Sequence, residues 1–277
     1  LVCAAFILAH LICWMRPQRT PRQDLWGLIF FFLALMSKAL TVVVPAIVLL
    51  YDVFACRKKF SEALARQIIP GVLSLWMLMT TMGAQVSSLG GLRGHMELSK
   101  LQILSVDSVI LWKYVGMQFW PSNLSVLYDQ PTSGITGQIV TASIAWLLTG
   151  AIVWKLRHNA PLVFVACCSW LLLLLPVLNL TPITTLINDR YLYMPVIPFF
   201  ACVLCGLRRL LEFEPRLNCS PGTVRRRLVE LAPIGVAVAA LLLASRSHLP
   251  VWQNDRALWE HTAQQSPNLP LVQIQYA

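Results

Sequence analysis

The chain alternates between apolar runs and short polar breaks. The apolar runs cover residues 1–15, 25–36, 39–54, 68–84, 139–154, 162–178, 195–211 and 228–244. A membrane-spanning helix needs ~20 predominantly apolar residues, and fewer when it is kinked or buried in a bundle. The pattern therefore predicts an all-α, polytopic transmembrane helix bundle with about eight membrane segments over residues 1–245. The run 104–120 differs, because it carries Asp107 and Lys113 together with Trp112, Tyr114 and Trp120. Amphipathic aromatic rings settle at headgroup depth, so this run reads as an interfacial or re-entrant helix. Beyond residue 245 the chain turns polar, with a helical pattern broken at Ser266-Pro267-Asn268. Residues 246–277 read as the start of a helical domain outside the bilayer.

The polar breaks form two sets that alternate along the chain. The basic set holds Arg16, Arg19 and Arg22, then Arg57, Lys58, Lys59 and Arg66, then Lys155 and Arg157, then Arg208, Arg209, Arg216 and Arg225 to Arg227. The near-neutral set is Ser37-Lys38, residues 85–136, residues 179–193 and everything after 245. Fifteen basic residues stand against six acidic ones in the first set, and seven against six in the second. Cytoplasmic loops carry the excess of Lys and Arg, so the first set is expected in the cytoplasm. The alternation holds only if residues 25–54 pass twice, as a tight hairpin turning at Ser37-Lys38. Lys38, the 85–136 loop, the 179–193 segment and the C-terminal tail then share the extracytoplasmic face.

Composition points the same way. Hydrophobic residues make up 57% of the 277 residues and charged residues 12%, with a mean hydropathy of +0.66. Soluble domains run at ~45–50% and ~25%. The formal charge of +10 lies in loops flanking apolar runs without aromatic interleaving, so no nucleic-acid partner is expected. None of the eight cysteines falls in a near-neutral loop, and Cys202 and Cys205 lack a second ligand pair. Neither a disulfide framework nor a metal is expected. Leu1 lies inside an apolar run, and Val272 to Ala277 carry no terminating signal, so both ends read as cuts in a longer chain. Residues 1–15 have no basic lead and no cleavage site, which favours a truncated span over a signal peptide.

The most suggestive chemistry lies at Pro176-Val177-Leu178-Asn179-Leu180-Thr181-Pro182, followed by Asn188-Asp189-Arg190-Tyr191-Leu192-Tyr193-Met194-Pro195. Charges at membrane depth are costly and are kept when paired or functional. Irregular backbone between Pro182 and Pro195 is tolerable only if buried in protein or lining a wet cavity. The functional reading is a site for an anionic or sugar-bearing substrate, with Arg190 facing phosphate. The bland reading is an Asp189–Arg190 pair that caps a helix. Lys38 at the hairpin tip either binds a lipid phosphate as a point charge or anchors the tip at the headgroups. Tyr128 and Asp129, after Trp120-Pro121, are either ligand contacts or part of an aromatic belt. Arg93 is a further loop contact, and its neighbours His95 and Glu97 make a weak metal set. Asn123, Asn179 and Asn218 fit the glycan-acceptor pattern, with Asn123 the accessible one.

These residues, in this order, resemble a known family. Ser37-Lys38 with Pro45 and Leu49-Leu50-Tyr51-Asp52, Pro121 with Leu124, Leu127 and Tyr128, and the Pro176–Pro195 signature match its membrane part. Trp252, Asn254, Leu258 and Pro267-Asn268 match the beginning of its repeats. The chain resembles membrane proteins with C-terminal tetratricopeptide repeats, similar to the transmembrane O-mannosyltransferases that act on cadherins and to their bacterial relatives. The resemblance implies a GT-C type glycosyltransferase fold over residues 1–245 and an extracytoplasmic repeat domain starting at 246. It also implies a polyprenyl-phosphate sugar donor, a protein or glycan acceptor held by the repeats, and membrane lipid around the bundle. The phosphate-binding residues it implies are Lys38, Asp189, Arg190, Tyr191 and Tyr193, with Asp189 positioning Arg190. The catalytic base is expected in an outer loop preceding Leu1, and no divalent metal is indicated. A bacterial inner membrane is favoured over an ER membrane. The rival readings are a transporter or flippase for a lipid-linked or polar substrate, and a non-enzymatic scaffold that presents repeats.

Overall fold

The computed structural model describes residues 1–16, 20–89, 99–122, 124–179, 186–212 and 224–276. Every regular element among them is helical. In chain order these are α1 (Val2–Trp14), α2 (Pro21–Ser37), α3 (Val44–Leu50), α4 (Phe60–Arg66), α5 (Ile68–Leu89), α6 (Lys100–Phe119) and α7 (Thr136–Asn159). Then come α8 (Pro161–Leu174), α9 (Val196–Glu212), α10 (Val224–His248), α11 (Asp255–Gln265) and α12 (Pro270–Tyr276). A 3-10 stretch, Ala39–Val43, leads into α3, and a π-helical turn, Tyr51–Ala55, ends it.

The count of about eight membrane segments is not met. Among the described residues two helices are long and apolar enough to cross a membrane, Thr136–Asn159 and Gly235–Trp252. A third is reached only if Phe60–Arg66 and Ile68–Ala84, bent by 56°, act as one span. The physical reason is length. The apolar runs near the N-terminus and on either side of the 179–193 segment form helices about as long as the runs themselves, such as Val2–Trp14, Ala39–Ala55, Pro161–Val177 and Val196–Leu207. At 1.5 Å per residue, a helix of such length covers at most ~25 Å, short of a ~30 Å hydrocarbon core. At Ser37-Lys38, the expected tip of the hairpin, α2 ends: Lys38 is extended (φ −162°, ψ 133°). Thr41 Oγ1 then donates to the carbonyl of Ala34 at 3.0 Å, which holds the start of the 3-10 stretch against the end of α2.

Local chemistry sets several helix starts. Thr20 and Gln23 form a capping box at α2, with Pro21 in its first turn. Ser99 and Gln102 do the same at α6, and Asn254 caps α11 through the Ala257 amide. Each cap satisfies an otherwise orphaned amide.

Two hydrophobic cores result. One joins α1, α2 and α3 through Ile7, Phe31, Leu35, Val44 and Val48, and takes in Leu173 and Met194. The other joins α6, α8 and the segment before α9 through Val106, Ile110, Tyr114, Trp170, Ile187, Tyr191 and Leu192. Residues 191–194 therefore lie on the seam between the cores. Leu173 and Leu174, adjacent on α8, face one core each.

The helices also define two ends. At one, Asp52 is buried and paired to Lys58 (3.1 Å) and Arg66 (2.6 Å), and Arg66 reaches the Trp14 carbonyl at 3.4 Å. Arg57 bonds the His158 carbonyl there, at 3.4 Å. At the other end lie Ser37-Lys38, the 124–135 loop, the 186–195 segment and α11–α12. Among the described residues Arg57, Lys58 and Arg66 of the basic set thus lie at one end, and Lys38 and the 186–195 segment at the other. Between the ends, α7 and α10 present apolar surface outward, with Leu147 75% and Leu243 70% exposed.

Two substitutions test this packing by thermal unfolding of the detergent-solubilised protein. A Cβ on Gly27 would lie 2.8 Å from Trp14 Cε3, where α1 and α2 touch. Gly27→Ala is expected to lower stability by about 1–3 kcal/mol through overpacking, whereas Gly150→Ala, with open space around it, leaves it unchanged or raised. Equal effects would show that Trp14 gives way freely. Asp52→Asn leaves two cations facing each other, and is expected to cost about 3 kcal/mol, the lower end for a broken buried pair. A loss below about 1 kcal/mol would mean that solvent already screens the pair.

Candidate functional site

The site grows from the break at the end of α2. Cys3 Sγ lies 3.4 Å from Thr41 Oγ1 and 3.7 Å from the Ala34 carbonyl, so α1 braces the turn. The extended backbone of Lys38 sends its side chain over the Tyr193 ring, 4.6 Å from the centroid. Arg190 arrives from the short 3-10 turn Asp189–Tyr191, its guanidinium 5.7 Å from the Tyr191 ring centroid. Lys38, Arg190, Tyr193, Ser37, Cys3, Val2 and Leu1 line one cleft of about 440 Å³. Burial pushes the Lys38 ammonium below its usual range, Cys3 partly opposes this, and the Arg190 charge adds to it. Two cations that disfavour each other thus stand in one cleft beside an apolar wall.

Asp189 and Arg190 make no ion pair with each other, and their side chains serve different neighbourhoods. Asp189 Oδ1 accepts a hydrogen bond from the Tyr128 hydroxyl at 2.5 Å. That hydroxyl also accepts from the Ser125 amide at 3.0 Å. Lys113, from α6, places its ammonium 5.0 Å from the Tyr128 ring centroid. Burial raises the Asp189 carboxyl above the usual carboxylate range, while Tyr128, the Ser125 backbone and the Lys113 charge pull it back. Tyr128 is pushed upward in turn, by burial first and then by Asp189, so it stays a donor. Burial lowers the Lys113 ammonium, against the attraction of Asp189 and Asp129. This side of the turn is a half-buried carboxyl, phenol and ammonium group suited to holding or passing a proton.

The turn itself is tethered. Asn188 takes the Arg190 amide on its Oδ1 (3.0 Å), gives its Nδ2 to the Val126 carbonyl (3.3 Å), and offers its own amide to Tyr114 Oη (3.3 Å). Deeper in, Asn179 Nδ2 donates to Asp107 Oδ1 at 2.7 Å, which binds the end of α8 to α6. Asn179 is buried, so its glycan-acceptor pattern is internal.

The structure thus brings Lys38, Arg190 and Tyr193 together, puts Tyr191 in the core beneath Arg190, and joins Asp189 to Tyr128. Asp129 lies one residue along, facing the C-terminal hairpin. Its amide donates to Ser266 Oγ at 3.1 Å, and its carboxylate accepts from Asn268 at 3.1 Å. Arg93, His95, Glu97, Asn123, Pro182, Asn218 and Arg19 lie outside the described residues. Sequence reasoning missed Ser125 and Ser266 as partners of the site. Lys113 stood out in sequence as a charge within an apolar run, the one signal that pointed to it. Among the described residues no group of three His, Cys, Asp or Glu side chains is placed to hold a metal. No family model matches the chain, and neither a curated protein nor a solved structure matches it.

The Asp189 environment has a pH signature. A carboxyl whose pKa is higher folded than unfolded binds its proton more tightly when folded, so stability falls as pH rises through that interval. The protein is expected to lose thermal stability relative to Asp189→Asn as pH rises from about 4, the difference levelling once Asp189 is ionised. A difference that stays flat from about pH 4 to 8 would place Asp189 in an ordinary solvated setting.

Proposed function

We propose that this chain is part of an integral membrane glycosyltransferase. It takes a sugar from a polyprenyl-phosphate donor and passes it to a protein or glycan acceptor on the extracytoplasmic side. The single observation that carries the reading is the cleft shared by Lys38 and Arg190, residues far apart in the chain. A lipid-linked donor enters sideways from the bilayer and needs cations where its phosphate comes to rest. Arg190 offers a planar fork to phosphate oxygens, and Lys38 a point charge. The same cations would stabilise the phosphate as it leaves. The apolar runs, the two helices able to cross a membrane and the resemblance to the transmembrane O-mannosyltransferase family support the reading. The paired helices α11 and α12 stand at the cleft's end of the molecule, where we place the first turn of a repeat domain that holds the acceptor. The compartment we propose is a bacterial inner membrane with the C-terminus extracytoplasmic. The near-neutral breaks that this reading sets outside carry no cysteine.

The test uses the full-length protein in membranes with labelled polyprenyl-phosphate sugar, and follows label into protein or glycan. Arg190→Ala and Lys38→Ala are each expected to lower transfer about 10- to 100-fold, the worth of a charge-assisted contact. Label transferred at an unchanged rate by both variants would refute the cleft as the donor-phosphate site. Lipid-linked sugar moved across the bilayer without transfer would mark a flippase instead.

A further inference from the structure

The two cations of the cleft are held by different means. Lys38 is held at the end of α2 by the Thr41–Ala34 bond, with Cys3 of α1 bracing that turn and the Tyr193 ring beneath its ammonium. Arg190 sits on a three-residue turn that makes no regular helix, so its place depends on what grips the turn. The grip comes from the 125–129 loop, through Asn188 to the Val126 carbonyl and Asp189 to the Tyr128 hydroxyl.

That loop is itself clamped from the far end of the chain. Ser266 Oγ donates to the Leu127 carbonyl at 2.9 Å and accepts from the Asp129 amide at 3.1 Å. The two bonds flank Tyr128 on either side. Ser266 is 1% exposed, so water does not compete for either partner. Asn268 Nδ2 adds a bond to Asp129 Oδ2 at 3.1 Å. A continuous series of hydrogen bonds therefore runs from the α11–α12 hairpin, through Tyr128, to the turn that carries Arg190.

We infer that Ser266, Tyr128 and Asp189 are positioning residues for Arg190, so that the C-terminal hairpin sets the spacing of the two cations in the cleft. The inference rests on the cleft taking a phosphate, as proposed above. Its physical content is a spacing. A phosphate gripped by both side chains needs them a fixed distance apart, and of the two only Arg190 sits on a turn that the 125–129 loop bonds directly. Deleting the Tyr128 hydroxyl frees the Asp189 carboxylate and loosens the turn. Deleting the Ser266 hydroxyl removes the partner of the Leu127 carbonyl and of the Asp129 amide, both half-buried, and loosens the loop. Either change reaches the ligand only through Arg190.

A double-mutant cycle reads that dependence directly. The full-length protein in lipid nanodiscs is titrated with farnesyl phosphate, and with farnesol as the uncharged control. Tyr128→Phe and Ser266→Ala are measured alone and in an Arg190→Ala background, with thermal unfolding of each variant as a check on folding. Each is expected to weaken farnesyl phosphate binding roughly fivefold in the parent and less than about twofold in the Arg190→Ala background, an interaction of the size seen for coupled neighbours. Farnesol binding should be unchanged. Equal losses in both backgrounds, or no loss in either, would overturn the inference while leaving the cleft intact. If Arg190→Ala and Lys38→Ala leave farnesyl phosphate binding unchanged, the cleft reading fails and takes this inference with it.

Discussion

A charged turn on the seam between two hydrophobic cores is the constraint around which this molecule is arranged. Tyr191 and Leu192 belong to one core and Met194 to the other, so the chain cannot slide at this point without exposing apolar surface on both sides. Yet the same few residues include Asp189 and Arg190, which resist burial. The conflict is resolved by division. Asp189 turns inward to a phenol, a backbone amide that shares the phenol, and a nearby ammonium. Arg190 turns out into the cleft over an aromatic face. Neighbouring charges of opposite sign are thus used separately rather than spent on each other.

The opposite end of the molecule solves its charge problem differently. Asp52 is buried and fully committed to Lys58 and Arg66. The bond from Arg66 to Trp14 ties that cluster to the end of α1. The acid there has no freedom left for ligand chemistry, and its role is to hold helices. At the cleft end, among the described residues, Lys38 and Arg190 form no ion pair and lie instead against tyrosine rings.

Much of this was legible in the sequence, and the limits have physical causes. The break at Ser37-Lys38 could be read from the alternation of basic and neutral breaks. Lys38 and Arg190, singled out by the cost of charge within apolar runs, line one cleft. The span count was not legible. An apolar run reports burial, in lipid or in protein, and does not say whether the helix through it crosses a membrane. Runs of 12 to 17 residues, such as 39–54 and 162–178, give helices too short to cross unaided, as Ala39–Ala55 and Pro161–Val177 are. The separation of Asp189 from Arg190 was hidden too, since adjacent residues suggest a pair until the partner of each is seen. Ser125 and Ser266 left no trace, because a lone hydroxyl in a polar stretch has no periodicity and no charge. Their roles arise only from contacts between distant parts of the chain.

The clamp at Ser266 also orders events in time. Its bonds to the loop span 137 and 139 residues, so they close after nearly every other described element has been synthesised. Helices that leave the ribosome early can pack as they appear. The loop beside the Arg190 turn cannot be clamped in this way until the polypeptide has passed Asn268. A nascent chain therefore carries both cations before that clamp can close.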